Sequence, residues 1–197
     1  MTMSTTPVGA IVLAAGASVR MGESKALLRW RGRAFVTHVV EGARGAGCSP
    51  IVVVQGAFVL PAELVAGAVL VDNPSWQAGQ LSSLQCGIRS LAGAQLSGAL
   101  VLTVDRPHVQ SATLRALVEA HRTEPQAIWQ PDFEGQRGHP IVFPMDVLHE
   151  IAELPLEASP RSVLRRFDVA ARRRSISVLD RAVLDNLDRP EDLGRLP

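Results

Sequence analysis

Four side chains in this sequence are suited to binding a phosphate chain together with a metal ion. Arg20 and Lys25 lie in one loop near the start of the chain, where their charges would attract phosphate oxygens. Asp105 follows an apolar run, and Asp188 lies in a loop shortly before a proline. Carboxylates brought together from distant segments suit Mg²⁺, a hard cation that prefers oxygen ligands. Either aspartate alone is more typical of a turn or a helix cap, so the prediction rests on their combination with the basic loop.

The loop that carries the two cations has the composition of a phosphate-binding turn. It follows the apolar run at residues 8–13, which predicts a buried strand, and it precedes a segment with helical spacing. The small residues Ala14 to Ala17 allow backbone N–H groups to approach phosphates. The loop matches neither the Gly-x-x-x-x-Gly-Lys-Ser/Thr nor the Gly-x-Gly-x-x-Gly pattern. Its place after a strand nevertheless predicts a nucleotide site at the edge of an open sheet.

The sequence does not indicate catalysis by a side-chain nucleophile. It contains no Gly-x-Ser-x-Gly turn, and its five histidines lack the spacing of zinc ligands. Nucleotidyl transfer to a phosphate acceptor needs no such residue, because a phosphomonoester with a second pKa of about 6 is largely dianionic at neutral pH. The protein then has to align the reactants and neutralise charge, and we predict these catalytic roles for Arg20, Lys25 and Asp105.

Buried strands alternate with helices along most of the chain. Apolar runs predict strands at residues 8–13, 51–54, 68–71, 99–104, 127–130, 141–143 and 175–178. Helical spacing predicts helices at residues 35–46, 82–91 and 113–121, and Pro160 is expected to open a further short helix. Ser111 is the expected N-cap of the third helix. The alternation predicts an α/β, Rossmann-like three-layer fold with a mostly parallel mixed sheet.

Length and composition are those of one ordinary globular domain, expected to span residues 1–197. The formal net charge of +1 implies no general attraction to nucleic acid or to a membrane. Cys48 and Cys86 are far apart and have no metal-binding spacing, which favours a reducing, cytoplasmic location.

Five segments of the chain occur in the order of a known family. They are LAAGASVRMGESK at 13–25, NPSWQAGQLSSL at 73–84, VDRPHV at 104–109, GQRGHP at 135–140 and NLDRPEDL at 186–193. Together they resemble the MobA-like NTP transferases, the nucleotidyltransferases that include molybdenum cofactor cytidylyltransferase and its guanylyl relatives. The resemblance extends over about residues 8–194, nearly the whole chain.

The resemblance implies a fold of the nucleotide-diphospho-sugar transferase type and a Mg²⁺-dependent enzyme. The implied reaction transfers CMP from CTP to molybdopterin and releases pyrophosphate, with a molybdoenzyme or its chaperone as a protein partner. Nucleotide contacts are expected from Leu13, Ala14, Ala15, Gly16, Arg20, Lys25, Asn73, Gly79, Gln80, Ser82 and Asp105. Acceptor contacts are expected from Arg137, Gly138, His139 and Arg161, and Mg²⁺ contacts from Asp105 and Asp188.

Three positions bear on the choice of substrates. In the family, Ala-Ala-Gly accompanies cytidylyl transfer and Ala-Gly-Gly guanylyl transfer, so the methyl group of Ala15 favours CTP. Arg106 and Arg189 depart from the neutral residues that are usual beside the two aspartates, and they are expected either to bind substrate phosphate or to point outward. Two alternatives remain open: transfer to a sugar, polyol or lactyl phosphate, and a non-catalytic nucleotide-binding maturation partner.

Overall fold

A computed structural model describes residues 6–158 and 172–197. The strands are β1 Val8–Leu13, β2 Arg29–Trp30, β3 Arg33–Ala34, β4 Ile51–Gln55, β5 Val69–Asp72, β6 Gly98–Thr103, β7 Ile128–Phe133, β8 Gln136–Arg137, β9 Ile141–Pro144 and β10 Arg173–Ser177. The α-helices are α1 Phe35–Gly45, α2 Gln80–Ser90, α3 Ser111–Thr123 and α4 Met145–Ala152. Within the described residues, no helix has both the length and the apolar composition needed to cross a membrane.

One sheet organises the molecule, with strand order β10-β7-β9-β6-β1-β4-β5 and β8 paired to β7. The pairs β6–β1, β1–β4, β4–β5 and β10–β7 are parallel, whereas β9 runs antiparallel to both of its neighbours. β2 and β3 form a separate two-stranded hairpin. The predicted mostly parallel mixed sheet is therefore confirmed.

The two faces of the sheet bury separate apolar clusters, because successive strand residues point to opposite sides. In β1, Val12 packs in the cluster beneath α1 and α3, and Ile11 packs in the cluster beneath α2 and α4. All six residues of β1 are buried, which explains its continuous apolar sequence. This helix–sheet–helix arrangement confirms the predicted three-layer fold.

Most predicted elements in the described residues have the expected type. β1 has its predicted bounds, and β4, β5, β6, β7, β9, β10 and α1 to α3 differ from prediction by a few residues at their ends. The short strands β2, β3 and β8 were not predicted. Ser111 is the first residue of α3, and Gln110 occupies the N-cap, so that cap prediction is wrong. The helix α4 was not predicted, although Val147, Leu148 and Ile151 form its buried face. The helix expected after Pro160 lies outside the described residues.

Acid should destabilise the fold through His121, which is fully buried on α3. Burial lowers the pKa of His121 below 6.5, so the unfolded chain takes up a proton that the folded chain does not. The free energy of unfolding should therefore fall as the pH drops below about 6.5 and be independent of this group at higher pH.

Urea unfolding between pH 5 and pH 7.5 measures this dependence. His121→Leu should flatten the decrease of stability toward acid, and His149→Leu, at an exposed position of α4, should keep the wild-type profile. Identical profiles for wild type and His121→Leu would contradict the assignment.

Candidate functional site

A crevice lies where β1 and β6 end side by side. The parallel register pairs Leu13 with Thr103, so the residues that follow the two strands leave the sheet at the same level. The Val104 N–H donates to the Leu13 carbonyl at 3.3 Å and extends this alignment. The crevice holds a cavity of about 480 Å³, called the first cavity below. Its wall comes from the loop after β1, the start of α2, the end of β6 and the C-terminal segment.

The loop after β1 presents backbone donors to the first cavity. The Ala14 N–H is engaged in the sheet edge, where it donates to the Val54 carbonyl at 2.9 Å. The next three residues, Ala15 to Ala17, line the cavity, and their N–H groups donate to no acceptor among the described residues. Successive backbone donors of this kind suit an anion with several oxygens.

Lys25 reaches the first cavity from the far end of the same loop. The Ser18 hydroxyl accepts a hydrogen bond from the Lys25 N–H at 3.1 Å, and the side chain of Ala26 is buried beside it. The Lys25 ammonium forms an ion pair with Asp188, and its side chain is 14% exposed. Lys25 is also the only lysine in the sequence, which otherwise has arginine as its strongly basic residue. The side chain of Arg20 lies outside the described part of the structure.

The C-terminal segment carries Asp188 to the crevice through contacts on both sides of it. The Leu187 side chain is fully buried in a cluster with Leu28 and Phe35, and its N–H donates to the Asp105 carbonyl at 3.3 Å. Asp192 accepts the backbone N–H groups of Asp188 and Arg189, both at 2.9 Å. These two backbone hydrogen bonds lower the pKa of Asp192. Asp188 is thereby held against the loop of Lys25.

Asp180 anchors the same segment to the body of the protein. Its buried carboxylate accepts hydrogen bonds from the Gln110 N–H at 2.8 Å, the Thr113 hydroxyl at 2.7 Å and the Ala182 N–H at 3.2 Å. The first two donors belong to the start of α3. The position of the Asp188 segment therefore depends on a buried polar contact with α3.

Asp105 lies two residues beyond β6 and is paired with its neighbour in the chain. Nη1 of Arg106 donates to Oδ1 of Asp105 at 2.9 Å and to the Thr103 hydroxyl at 2.8 Å. Thr103 also donates to Oδ1, whereas Oδ2 of Asp105 accepts no hydrogen bond from the described residues. Arg106 points inward with 15% of its side chain exposed, and Arg189 points outward with 62% exposed.

A second cavity of about 310 Å³ adjoins the first beyond Asp105. Its wall has an apolar part, which includes Leu84, Ile141 and Phe143, and a polar part, which includes Arg106 and His139. Burial, with the charge of Arg106 as a smaller contribution, lowers the pKa of His139 to about 4. His139 is therefore neutral at pH 7 and offers this cavity a hydrogen bond without a net charge.

The carboxylates of the first cavity fit a hard divalent cation. Asp105 and Asp188 line the same cavity, and Oδ2 of Asp105 has no competing hydrogen bond within the described chain. No group of three or more His, Cys, Asp or Glu residues suited to a metal occurs in the described ranges. Two carboxylates can hold Mg²⁺ when water and substrate phosphates provide its other ligands.

Most of the nucleotide residues predicted from the sequence lie around the first cavity. Those that line it are Leu13, Ala14, Ala15, Gly16, Lys25, Gly79, Gln80, Asp105 and Asp188. Asn73 and Ser82 do not line it. They are buried behind its wall, where the Asn73 amide donates to the Ser82 hydroxyl at 3.0 Å and Ser82 donates to the Gly79 carbonyl at 2.8 Å. These contacts shape the turn before α2.

Sequence reasoning did not assign other parts of the cavity wall. Ser83, Thr103 and Asn186 line the first cavity. Trp76, within the segment at 73–84, also lines it. Ser83 is next to the predicted Ser82, and the direction of the helix start decides which of the two hydroxyls faces the cavity. Asn186 is the first residue of the segment NLDRPEDL at 186–193, so its place in the site could have been predicted from the family resemblance.

The predicted acceptor loop is a β-hairpin, and only part of it reaches a cavity. β8 pairs with the end of β7, which leaves the Arg137 side chain exposed and outside the linings of both cavities. Gly138 is buried against the C-terminal segment, since an added Cβ would lie 2.4 Å from the Val183 carbonyl oxygen. Glycine at this position therefore allows the hairpin to pack closely against the backbone of Val183. His139 reaches the second cavity, and Arg161 lies outside the described residues.

Comparisons with known proteins agree with this architecture. A family model described as the MobA-like NTP transferase domain matches residues 10–173. The chain is 30% identical over 200 residues to a protein of Opitutus terrae named probable molybdenum cofactor guanylyltransferase, with 99% of this chain and 97% of the relative covered. It is 33% identical over 147 residues to the nicotine blue oxidoreductase of Paenarthrobacter nicotinovorans, with 68% and 69% covered.

Solved structures share the fold. The crystal structure of Rv0371c from Mycobacterium tuberculosis has a TM-score of 0.75 at 24% identity and covers 97% of this chain and 98% of its own. The complex of the same protein with manganese has a TM-score of 0.70 at 23% identity, with the same coverage.

Replacing Asp180 should loosen the C-terminal segment and destabilise the fold. Asp180→Ala leaves the Gln110 N–H and the Thr113 hydroxyl without their acceptor in a buried place, which should cost about 2 to 4 kcal/mol. Chemical denaturation measures this change.

Asp146→Ala is the matched control, because it removes a largely exposed partner of Arg172 and should cost at most about 1 kcal/mol. Equal losses of stability in the two variants would contradict the anchoring role of Asp180.

Proposed function

This chain belongs to the MobA-like NTP transferase family and is a nucleotidyltransferase, and from that premise we propose that it transfers CMP from CTP to molybdopterin. The proposed enzyme is a single domain over residues 1–197, acts in the cytoplasm and depends on Mg²⁺. One observation carries the proposal: the first cavity brings together unengaged backbone donors, the only lysine and two aspartates from distant segments.

The triphosphate binds along the loop after β1. The N–H groups of Ala15 and Gly16 donate to phosphate oxygens, and Arg20 and Lys25 supply positive charge. The ammonium of Lys25, which is paired with Asp188 in the free protein, binds the phosphates instead when the nucleotide is present. There it offsets the negative charge that develops on pyrophosphate as this group leaves. Asp105 and Asp188 would hold Mg²⁺, which would supply neutralisation of the negative charge on the phosphate chain.

An oxygen of the acceptor phosphate attacks the α-phosphorus of CTP from the side of the second cavity and displaces pyrophosphate. It requires no general base, because the phosphomonoester is already largely dianionic at neutral pH. His139 lines this cavity in its neutral form and donates a hydrogen bond to the acceptor. Gly138 positions His139 through its packing, and Arg161 completes the acceptor contacts. We give Arg137 no contact with the acceptor, since its side chain lies outside both cavities.

The base and ribose lie against the start of α2. Gly79 and Gln80 contact them directly, and Asn73 and Ser82 act by holding the turn in shape. Ala15 is a lining residue of the same cavity, and in this proposal its side chain disfavours a purine, as the Ala-Ala-Gly pattern of the family implies. One methyl group changes the free energy of transition-state binding by about 1 kcal/mol, which gives roughly tenfold discrimination between CTP and GTP.

The partners of this enzyme are small molecules and the protein that receives the finished cofactor. The net charge of +1 supports neither a nucleic acid nor a membrane as a substrate surface. The free thiols of Cys48 and Cys86 support the cytoplasmic location. A molybdoenzyme or its chaperone is the expected recipient.

Pyrophosphate release from each of the four ribonucleoside triphosphates, with molybdopterin and Mg²⁺, tests the proposal. CTP should give the highest kcat/KM, with GTP about tenfold lower. Ala15→Gly should reduce this ratio, and Ala17→Gly, in the same loop, should leave it unchanged.

The outcomes separate the parts of the proposal. A wild-type preference for GTP would overturn the choice of CTP and leave nucleotidyl transfer in place. No pyrophosphate from any nucleotide would overturn the reaction, and turnover of nicotine blue in its place would favour the chemistry named for the oxidoreductase relative.

Lys25→Ala should lower kcat more than it raises KM for the nucleotide, because the charge of Lys25 is needed most when pyrophosphate leaves. The side chain of Lys25 is only 14% exposed and pairs with Asp188, so some loss of melting temperature is expected, and kcat and KM are compared at a temperature where both proteins are folded. A rise in KM with kcat unchanged would show that Lys25 binds the ground state and the transition state equally.

A further inference from the structure

We propose that Arg106 is the anion-binding residue of the second cavity and that it holds the phosphate monoester of an acceptor with a flat, apolar body. The inference rests on the proposed function, because it assigns the second cavity to the acceptor. It identifies the residue that recognises the acceptor and the chemical class that this residue selects.

The orientation of Arg106 is the first observation. Its side chain is 15% exposed and lines the second cavity, and its Nε atom is buried without a hydrogen-bond partner among the described residues. A buried guanidinium N–H without an acceptor is costly, so an incoming oxygen that accepts from it would be favoured. Arg189, beside the other aspartate, is 62% exposed and lies near Glu191. Only Arg106 of this pair is placed to meet a substrate.

The charge balance around Arg106 is the second observation. In the part of the chain that the structure describes, its one carboxylate partner is Asp105, at 2.9 Å. Asp105 is also proposed to bind the metal ion. When that carboxylate is committed to a divalent cation, the positive charge of Arg106 is left with the Thr103 hydroxyl at 2.8 Å and no anion. A dianionic phosphate entering the second cavity would restore the balance and accept bidentate hydrogen bonds from the guanidinium.

The other residues that line the second cavity indicate the chemical nature of the rest of the acceptor. Leu84, Ile141 and Phe143 are buried apolar residues of this wall. Contact with a hydrocarbon or heterocyclic ring would remove apolar surface of the ring from water, which is favourable. His139 is neutral at pH 7 and offers a hydrogen bond to a ring edge. The volume of about 310 Å³ lies at the lower end of the range for small-molecule sites. A ring that carries one phosphate group fits this combination of size, polarity and charge.

Phenyl phosphate is the probe that tests the proposal, since it contains only the ring and the phosphate monoester. Isothermal titration of the full chain with Mg²⁺, without nucleotide and with CMP in the first cavity, gives its dissociation constant without turnover, because CMP carries no pyrophosphate to release. Wild type should bind phenyl phosphate in both conditions and should not bind phenol. Arg106→Gln should weaken binding about ten- to a hundredfold. Arg189→Gln, the matched control, should stay within about twofold of wild type.

Arg106→Lys is the control for a folding defect, because it keeps the positive charge beside Asp105 and removes the planar guanidinium group. It should melt close to wild type and bind phenyl phosphate with an affinity between those of wild type and Arg106→Gln. Equal affinities for wild type and Arg106→Gln, equal losses in both glutamine variants, or no wild-type binding would each overturn the proposal. Binding through Arg106 without any pyrophosphate release would instead overturn the proposed function and leave this anion site in place.

Discussion

The parallel pairing of β1 with β6 at the centre of the sheet is the contact on which the site depends. It aligns Leu13 with Thr103, so the phosphate loop and Asp105 leave the sheet at the same edge. The C-terminal segment joins them because the Leu187 N–H binds the Asp105 carbonyl and its side chain is buried. Apolar burial on both faces holds this alignment, since all six residues of β1 are buried. Three distant stretches of the chain thus meet through one strand pair and one buried leucine.

The charges of the crevice are balanced within the protein. Asp188 is paired with Lys25, and Asp105 is paired with Arg106. Ion pairs in partly buried places contribute little net stability, because desolvation offsets most of their attraction. They can therefore be exchanged at low cost when phosphates and a divalent cation arrive together. In the proposed function Lys25 and Arg106 would bind phosphates, and Asp105 and Asp188 would hold the divalent cation.

The sequence was most informative where local pattern decides structure. β1 was predicted with its observed bounds because a continuous apolar run between loops has few other interpretations. The loop of Lys25 was identified by its residue types, and that loop does line the first cavity. The anchoring roles of Asp180 and Leu187 depend on contacts across many residues, which periodicity does not encode. The sequence also left the direction of Arg106 open, and the structure shows that its guanidinium donates to Thr103 and Asp105.

The single lysine allows the central claim, that Lys25 binds the triphosphate, to be measured at one atom. Protein labelled with ¹⁵N only in lysine should give one side-chain resonance, that of Nζ of Lys25, which reports the surroundings of this ammonium. Titration with CTP, with pyrophosphate and with cytidine separates phosphate contacts from base contacts. The account predicts that CTP and pyrophosphate shift the resonance to a similar extent and that cytidine leaves it in place. A resonance that responds equally to cytidine, or that no phosphate compound moves, would contradict it.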